Sequence, residues 1–305
     1  MNTPEISVII VTYNSSKYIE KCLASLFVSL EGIKSEVIIV DNASTDDTVK
    51  VLQKFKKRIT LIASKENKGF GKAMNLGYTK TKGEYIWLVN PDAFVGVKCA
   101  LEILKVMKKN EDVGVVGTQM RYENGSLQGS FGYRPTFLRE LLQMALLYHY
   151  FPVGRVVLPS SQTASLFNKS HEVAWVSGGC MMIRRDALGK SKTIFDPAYF
   201  MYLEDIDTCL RISKNGYRIW YLASAYAKHV HSASFGSGKG RFMYSNILEA
   251  HSVLQFWMNW YPQHITQRTL LRFLLKIKLA IKLVLSIKGI PEDQRARYWQ
   301  QWRSL

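Results

Sequence analysis

The chain has 305 residues, 47% of them hydrophobic, and a formal net charge of +17. That length and apolar content bury a substantial core, which excludes a disordered chain and leaves room for one large domain with an appendage. Cys22, Cys99, Cys180 and Cys209 form no CxxC pair, which argues against a zinc site or a disulfide-stapled secreted domain and fits a reducing cytoplasm.

From the N-terminus, "ISVIIV" (6–11) and "SEVIIVD" (35–41) are β-branched runs of the kind buried on both faces of a parallel sheet. "SKYIEKCLASLFVSL" between them has helical spacing, which makes a βαβ unit. The start has no basic segment followed by a long apolar run, so neither a signal peptide nor a membrane span is expected there. "DDTVKVLQKFKKR" then predicts a helix, "ITLIAS" a strand, "GKAMNLGYTKT" a helix and "YIWLVN" a strand. This alternation predicts an α/β fold with a mostly parallel sheet between helices, whose ligands bind beyond the carboxyl ends of the strands. "VGVVGTQMRYENGS" reads as a further strand and turn; the aromatic stretch 129–172, punctuated by Pro135, Pro152 and Pro159, reads as an irregular insertion. "AWVSGGCMMIRRDAL" predicts a strand running into a turn and helix, and from Phe242 onward the pattern is helical.

Polar signatures fall at the strand ends. Thr12, Tyr13 and Asn14 offer a hydroxyl, a ring and an amide, and Asp41 offers a carboxylate able to accept from a base N–H or a ribose hydroxyl. Together they outline a nucleoside pocket, although an Asp before "NASTDDT" also suits an N-cap or Asx turn. In "NPDA", Pro91 cannot join a ladder, so the chain leaves the sheet and exposes Asp92 at the rim, either as a turn residue or as a hard oxygen ligand. One such ligand suits Mg²⁺ or Mn²⁺ held mainly by a substrate diphosphate. "ENKGFGKAMN" contributes Asn67, Gly69, Gly71, Lys72 and Asn75, a glycine loop before a helix N-terminus that favours anions. It matches neither GxGxxG nor a Walker motif.

Three carboxylates, Glu204, Asp205 and Asp207, lie in the apolar stretch "YFMYLEDIDTCLRISKNGYRIWYL" (199–222). Acids there serve either a solvated helix start or an active-site base. The motifs "SVIIVTYNSSKYIEKCLASL", "VIIVDNASTDDT", "ENKGFGKAMNLGY", "YIWLVNPDA", "VSGGCMMIRRDAL", "FDPAYFMYLEDIDTCLRISKNGYRIWYL" and "AKHVHSAS" follow one another over roughly residues 5 to 235. In that order they resemble glycosyltransferase family 2, particularly its rhamnosyltransferase-like branch.

The resemblance implies a GT-A fold with a Rossmann-like, mostly parallel sheet and a C-terminal helical extension, a nucleotide-diphospho-sugar donor, a divalent metal (Mn²⁺ or Mg²⁺) and inversion at the sugar carbon. It divides the chain into a catalytic domain at 1–238, with 129–172 as an acceptor-side insertion, and a basic helical region at 239–305. By position, Thr12, Tyr13, Asn14 and Asp41 would hold the nucleoside, with Asn67, Gly69, Asn75 and Asn90 lining the donor and Gly178 and Gly179 the sugar pocket. Asp92 matches the last acid of the family's metal-binding Asp-x-Asp, written here as "NPD", and His229 matches a histidine near the metal and diphosphate. Asp205 matches the base, with Glu204 orienting it or touching the acceptor. Asp207 fits the first helical turn, and like-charge crowding would raise one carboxyl pKa. His231 is read as structural.

The region from 263 to the end holds nine Lys and Arg residues against Glu292 and Asp293. "ITQRTLLRFLLKIKLAIKLVLSIKG" carries Arg272, Lys276, Lys278 and Lys282 at intervals that leave no apolar run long enough to span a bilayer. It suits either a basic amphipathic helix on an anionic leaflet or a core-packing helix with solvated lysines. By analogy with the branch, the acceptor is a glycan or a polyprenyl-diphosphate-linked sugar met at the cytoplasmic face of the membrane. A nucleotidyltransferase would want a glycine-rich, basic loop where "TYNSSKY" stands. No recognition module supports a nucleic-acid partner, and the oligomeric state is left open.

Overall fold

The computed structural model describes residues 3–144, 155–160, 163–230, 239–286 and 292–305. The first half follows the expected alternation: β1 (Ile6–Thr12), α1 (Ile19–Ser29), β2 (Ser35–Asp41), α2 (Thr48–Gln53), β3 (Thr60–Ala63), α3 (Phe70–Tyr78), β4 (Tyr85–Val89), β5 (Ala93–Val95) and α4 (Cys99–Lys109). Then come β6 (Val113–Arg121), β7 (Leu127–Gln128), β8 (Phe131–Gly132), α5 (Phe137–Met144), α6 (Ala164–Phe167), β9 (His171–Glu172), β10 (Trp175–Val176) and β11 (Cys180–Arg184). The remainder is α7 (Glu204–Lys214), β12 (Arg218–His229), α8 (Lys239–Trp260), α9 (Ile265–Ser286) and α10 (Glu292–Ser304).

The main sheet runs β3-β2-β1-β4-β11-β6-β12-β5, with β7 on β6 and β9 on β12. β1, β2, β3 and β4 are parallel, β11 is antiparallel to both β4 and β6, and β12 is parallel to β6. The β-branched runs are explained by burial on both faces: Ile6, Val8 and Ile10 of β1 enter one core, while Ile9 and Val11 enter the other. Helix α3 lies close on this sheet because Gly77 has no Cβ; one would stand 2.6 Å from Ile9 Cγ2. The strand and turn expected around 174–188 divide at Gly178 and Gly179 into β10 and β11, followed by a 3-10 helix at Arg185–Leu188.

The C-terminal helices share the core. Ile247, Phe256 and Trp257 of α8 and Leu271, Leu275, Leu279 and Leu283 of α9 belong to the same buried cluster as Ile9, Met74 and Tyr199. The polar side expected of α9 takes a different form: Leu271 to Leu283 bury inward at every fourth position, whereas Phe273, Ile277, Ile281 and Leu285 are exposed. Its lysines turn to the protein: Lys276 Nζ stands 5.5 Å over the Trp302 ring, and Lys278 and Lys282 are half-buried, which pushes both ammonium pKa values down. No described helix is long and apolar enough to cross a membrane. The boundary expected at residue 238 and His231 lie outside the described residues, as does part of the 129–172 insertion.

Candidate active site

The carboxyl ends of β1 and β2 meet at a buried knot. Thr12 Oγ1 donates to Asp41 Oδ1 at 2.9 Å, Ser44 N–H donates to Asp41 Oδ2 at 3.0 Å and Ser44 Oγ donates to Oδ1 at 2.5 Å. Thr12 is fully buried and Asp41 is 2% exposed, so the turn role weighed for Asp41 is realised and the Thr12 hydroxyl is spent on its carboxylate. Asn14, at φ 50°, accepts from Thr45 N–H at 2.8 Å, and its own N–H donates to Ser44 Oγ at 2.9 Å. Tyr13 is half-buried beside them.

The glycine loop is tied to this knot through Asn42, which sequence reasoning passed over inside "DNAS". Asn42 Nδ2 donates to Asn67 Oδ1 at 2.9 Å, its Oδ1 accepts from Lys68 N–H at 3.0 Å, and Asn67 Oδ1 also accepts from Gly69 N–H at 2.9 Å. Gly69 is needed for two reasons: its φ is 83°, and an added Cβ would stand 2.8 Å from both the ring and the carbonyl oxygen of Phe200. Phe70 N–H donates to that carbonyl at 3.1 Å, so the first N–H of α3 is already engaged by protein. Asn75 departs from the donor-lining role: its Oδ1 accepts from Ile194 and Phe195 N–H at 3.0 Å each and its Nδ2 donates to Phe195 O at 2.7 Å. With both carbonyl lone pairs used, Asn75 is a clamp on that backbone.

Asp92 and His229 come together because β5 pairs antiparallel with the end of β12, with Ala93 opposite His229; contrary to the exposure expected of Asp92, the chain re-enters the sheet at Ala93 and both side chains are buried, at 5% and 7% exposure. His229 Nε2 lies 3.2 Å from Asp92 Oδ1 and 3.3 Å from Asn90 Nδ2, while Nδ1 lies 3.1 Å from Gln128 Oε1. With the proton on Nδ1 donated to Gln128 Oε1, the Nε2 lone pair accepts from Asn90 Nδ2–H, with the Asp92 carboxylate alongside. Asn90 Oδ1 is buried without a protein partner. A carboxylate, an imidazole nitrogen and an orphaned amide oxygen are a donor set that fits Mn²⁺ or Mg²⁺. Among the described residues no three His, Cys, Asp or Glu side chains gather around a common point, so substrate oxygens and water would complete such a shell.

Gly178 and Gly179 join this corner to the acidic helix. Asn90 N–H donates to Gly179 O at 2.9 Å, and Gly178 N–H donates to Asp205 Oδ2 at 2.9 Å. A Cβ on Gly179 would meet Met120 at 2.9 Å, and one on Gly178 would stand 3.3 Å from Asp205 Cβ. Asp205, half-buried at the start of α7, also accepts from its neighbour Ile206 N–H at 2.8 Å. Glu204 is 6% exposed and its Oε2 has no partner. Burial, then the charges of Asp205 and Asp207, push the Glu204 carboxyl up to about 8. Burial pushes Asp205 up as well, opposed by the Gly178 and Ile206 N–H groups. The two neighbouring carboxyls therefore form a coupled pair in which burial favours keeping a proton, Glu204 holding it up to about pH 8. Two surface concavities, about 530 Å³ beside Trp299 and about 360 Å³ beside Glu102, include none of these residues.

A model of Glycosyl transferase family 2 matches residues 7–191. The chain belongs to glycosyltransferase family 2. This family 2 chain is 30% identical over 245 residues to an N-acetylglucosaminyl-diphospho-decaprenol L-rhamnosyltransferase of Mycobacterium tuberculosis, covering 77% of this chain and 78% of the relative. Among solved structures, the mannosyltransferase PcManGT from Pyrobaculum calidifontis, in complex with GDP-Man and Mn²⁺, superposes with a TM-score of 0.58 at 17% identity. That match covers 98% of this chain and 80% of the other. S. aureus TarS 1-349 in complex with UDP gives 0.56 at 19% identity, over 96% and 78% of the two chains. The architecture of this family 2 enzyme is the GT-A fold.

Proposed function

We propose that the enzyme is an inverting, metal-assisted hexosyltransferase that moves a sugar, with dTDP-rhamnose as the preferred donor, to a hydroxyl of a growing polyprenyl-diphosphate-linked cell-surface glycan. One observation supports the reading: hydrogen bonds through Gly178, Gly179 and Asn90 link Asp205 to the strand end that bears the Asp92–His229 corner. The donor and acceptor classes are supported by the rhamnosyltransferase relative.

In this reading the Thr12–Asp41–Ser44 knot holds the walls of the nucleoside site with Tyr13 and Asn14, and Asn67, Gly69 and Asn90 line the donor. Asp92 and His229, with Asn90 Oδ1, would hold the divalent ion. When bound, it neutralises charge building on the departing nucleoside diphosphate. Gly178 and Gly179 let the backbone pass close to Asp205 and Met120, which brings the Gly178 N–H to the base. Asp205, oriented by Gly178 N–H, takes the proton of the acceptor hydroxyl as that oxygen attacks the anomeric carbon from the face opposite the diphosphate, which inverts the centre. Glu204, protonated, avoids a second negative charge beside the base.

Such an acceptor goes with a cytoplasmic protein held peripherally at the inner face of the membrane. The support is α9, whose exposed Leu270, Phe273, Ile277, Ile281, Val284 and Leu285 form one apolar side on a chain of net charge +17. Apolar insertion would add to attraction by anionic lipid. Incubation with a panel of nucleotide sugars and Mn²⁺ or Mg²⁺ tests the function. Consumption of one sugar nucleotide with release of its nucleoside diphosphate is expected. A salt-sensitive nucleic-acid shift without any donor consumption would instead favour a nucleic-acid partner.

A further inference from the structure

We propose that α8 sets the position of the Asp205 carboxylate, with Ser252 and Trp260 as positioning residues that anchor the turn bearing it. The proposal rests on Asp205 being the proton acceptor. The chain enters α7 through two consecutive non-glycine residues in the left-handed region, Tyr202 at φ 72° and Leu203 at φ 63°. Residues with a Cβ hold that conformation only where their surroundings over-determine it.

Helix α8 supplies the constraint on both sides. Ser252 Oγ donates to Met201 O at 2.6 Å, immediately before the left-handed pair. Trp260 Nε1 donates to Asp207 Oδ1 at 2.8 Å, in the helical turn immediately after it. A third bond, from Asn259 Nδ2 to Asp196 Oδ2 at 3.0 Å, holds the start of the loop. Asp205 lies between the first two anchors, and its carboxylate must meet Gly178 N–H at 2.9 Å. Ser252 is 4% and Asp207 2% exposed, so water does not replace these bonds readily. Phe256 and Trp257, on the same helix, are buried in the core, which makes α8 a fixed reference for the turn. Helix α8 is in this way part of the machinery that aims the base.

Ser252→Ala and Trp260→Phe each delete one donor, the latter keeping an aromatic ring, and Ser252→Thr keeps the hydroxyl. In the intact protein, kcat should fall about tenfold to a hundredfold in the first two, as expected when a reacting group is displaced by a fraction of an ångström to an ångström. The donor KM should stay near the wild-type value, and Ser252→Thr should restore most of kcat. Hydrogen–deuterium exchange at 202–207 should rise in both deletions, with β1 and β4 unchanged. Exchange at 202–207 matching the wild type in both variants, or an unaltered kcat, overturns the proposal. A wild-type protein that consumes no nucleotide sugar would instead refute the functional reading, and the exchange result would still decide the anchoring.

Discussion

Replacing Glu204 with glutamine should make folding stability less sensitive to pH. The Glu204 carboxyl is 6% exposed, has an unpartnered Oε2 and is raised from 4.5 to about 8, first by burial and then by Asp205 and Asp207. The folded protein therefore keeps the proton up to about pH 8, whereas the unfolded chain releases it near pH 4.5. Between those values the folded state binds more protons, so wild-type stability falls as pH rises, and above about 8 the loss is complete. At about 1.4 kcal/mol per pH unit the ceiling is about 5 kcal/mol, and sharing of the proton with Asp205 reduces it to about 2–4 kcal/mol. Glutamine has nearly the same shape and never ionises. Urea unfolding from pH 4.5 to 9 should show Glu204→Gln within about 1 kcal/mol of the wild type at the acid end and more stable by about 2–4 kcal/mol at the alkaline end. The acids whose pKa values are lowered, Asp46 and Asp112, act oppositely but equally in both proteins, so they cancel in the difference. A stability difference that is the same at pH 5 and pH 8.5 would refute the assignment of the proton to Glu204.

Asp205→Asn should abolish sugar transfer while calorimetry still detects donor binding; retained turnover removes Asp205 from the mechanism. Gly69→Ala should lower stability by about 1–3 kcal/mol in thermal unfolding, because the φ of 83° and the Phe200 contact both oppose a methyl group, and an unchanged melting temperature would contradict that account. Arg155→Met should destabilise by about 3–5 kcal/mol in urea, since it leaves the Glu140 carboxylate, now 3.1 Å from the guanidinium, buried without its cation; a loss under about 1 kcal/mol would argue against this. Changing Phe273, Ile277 and Ile281 together to serine should reduce sedimentation with anionic vesicles, and unchanged partitioning would count against α9 as the contact.

Much of this protein was legible locally. β-branched runs with helical segments between them announce a mostly parallel sheet, because both faces of such strands must be apolar, and β1 and β4 bear this out residue by residue. The ordered motifs carried the family, and the "NPD" and "LED" segments contain acids whose surroundings the structure links by hydrogen bonds through Gly178 and Gly179. Gln128, Ser252 and Trp260 left no local signal, since a glutamine after a turn or a tryptophan in an amphipathic helix is ordinary until its partner is known. Asn75 looked like a ligand residue from its place after the glycine loop, and only the backbone folded against it reveals a clamp.

The sequence by itself determined the α/β class, the strand ends where chemistry collects and the residue types gathered there, because propensity and hydrophobic period act over a few neighbouring positions. Tertiary structure alone decided that His229 meets Asn90, 139 positions away, through the β5–β12 pairing, that Gly178 N–H meets Asp205, and that α8 bonds the turn before it. Those outcomes depend on register and packing between distant segments, and a hydrogen bond of that kind exists only once both partners have been brought out of water to the same place.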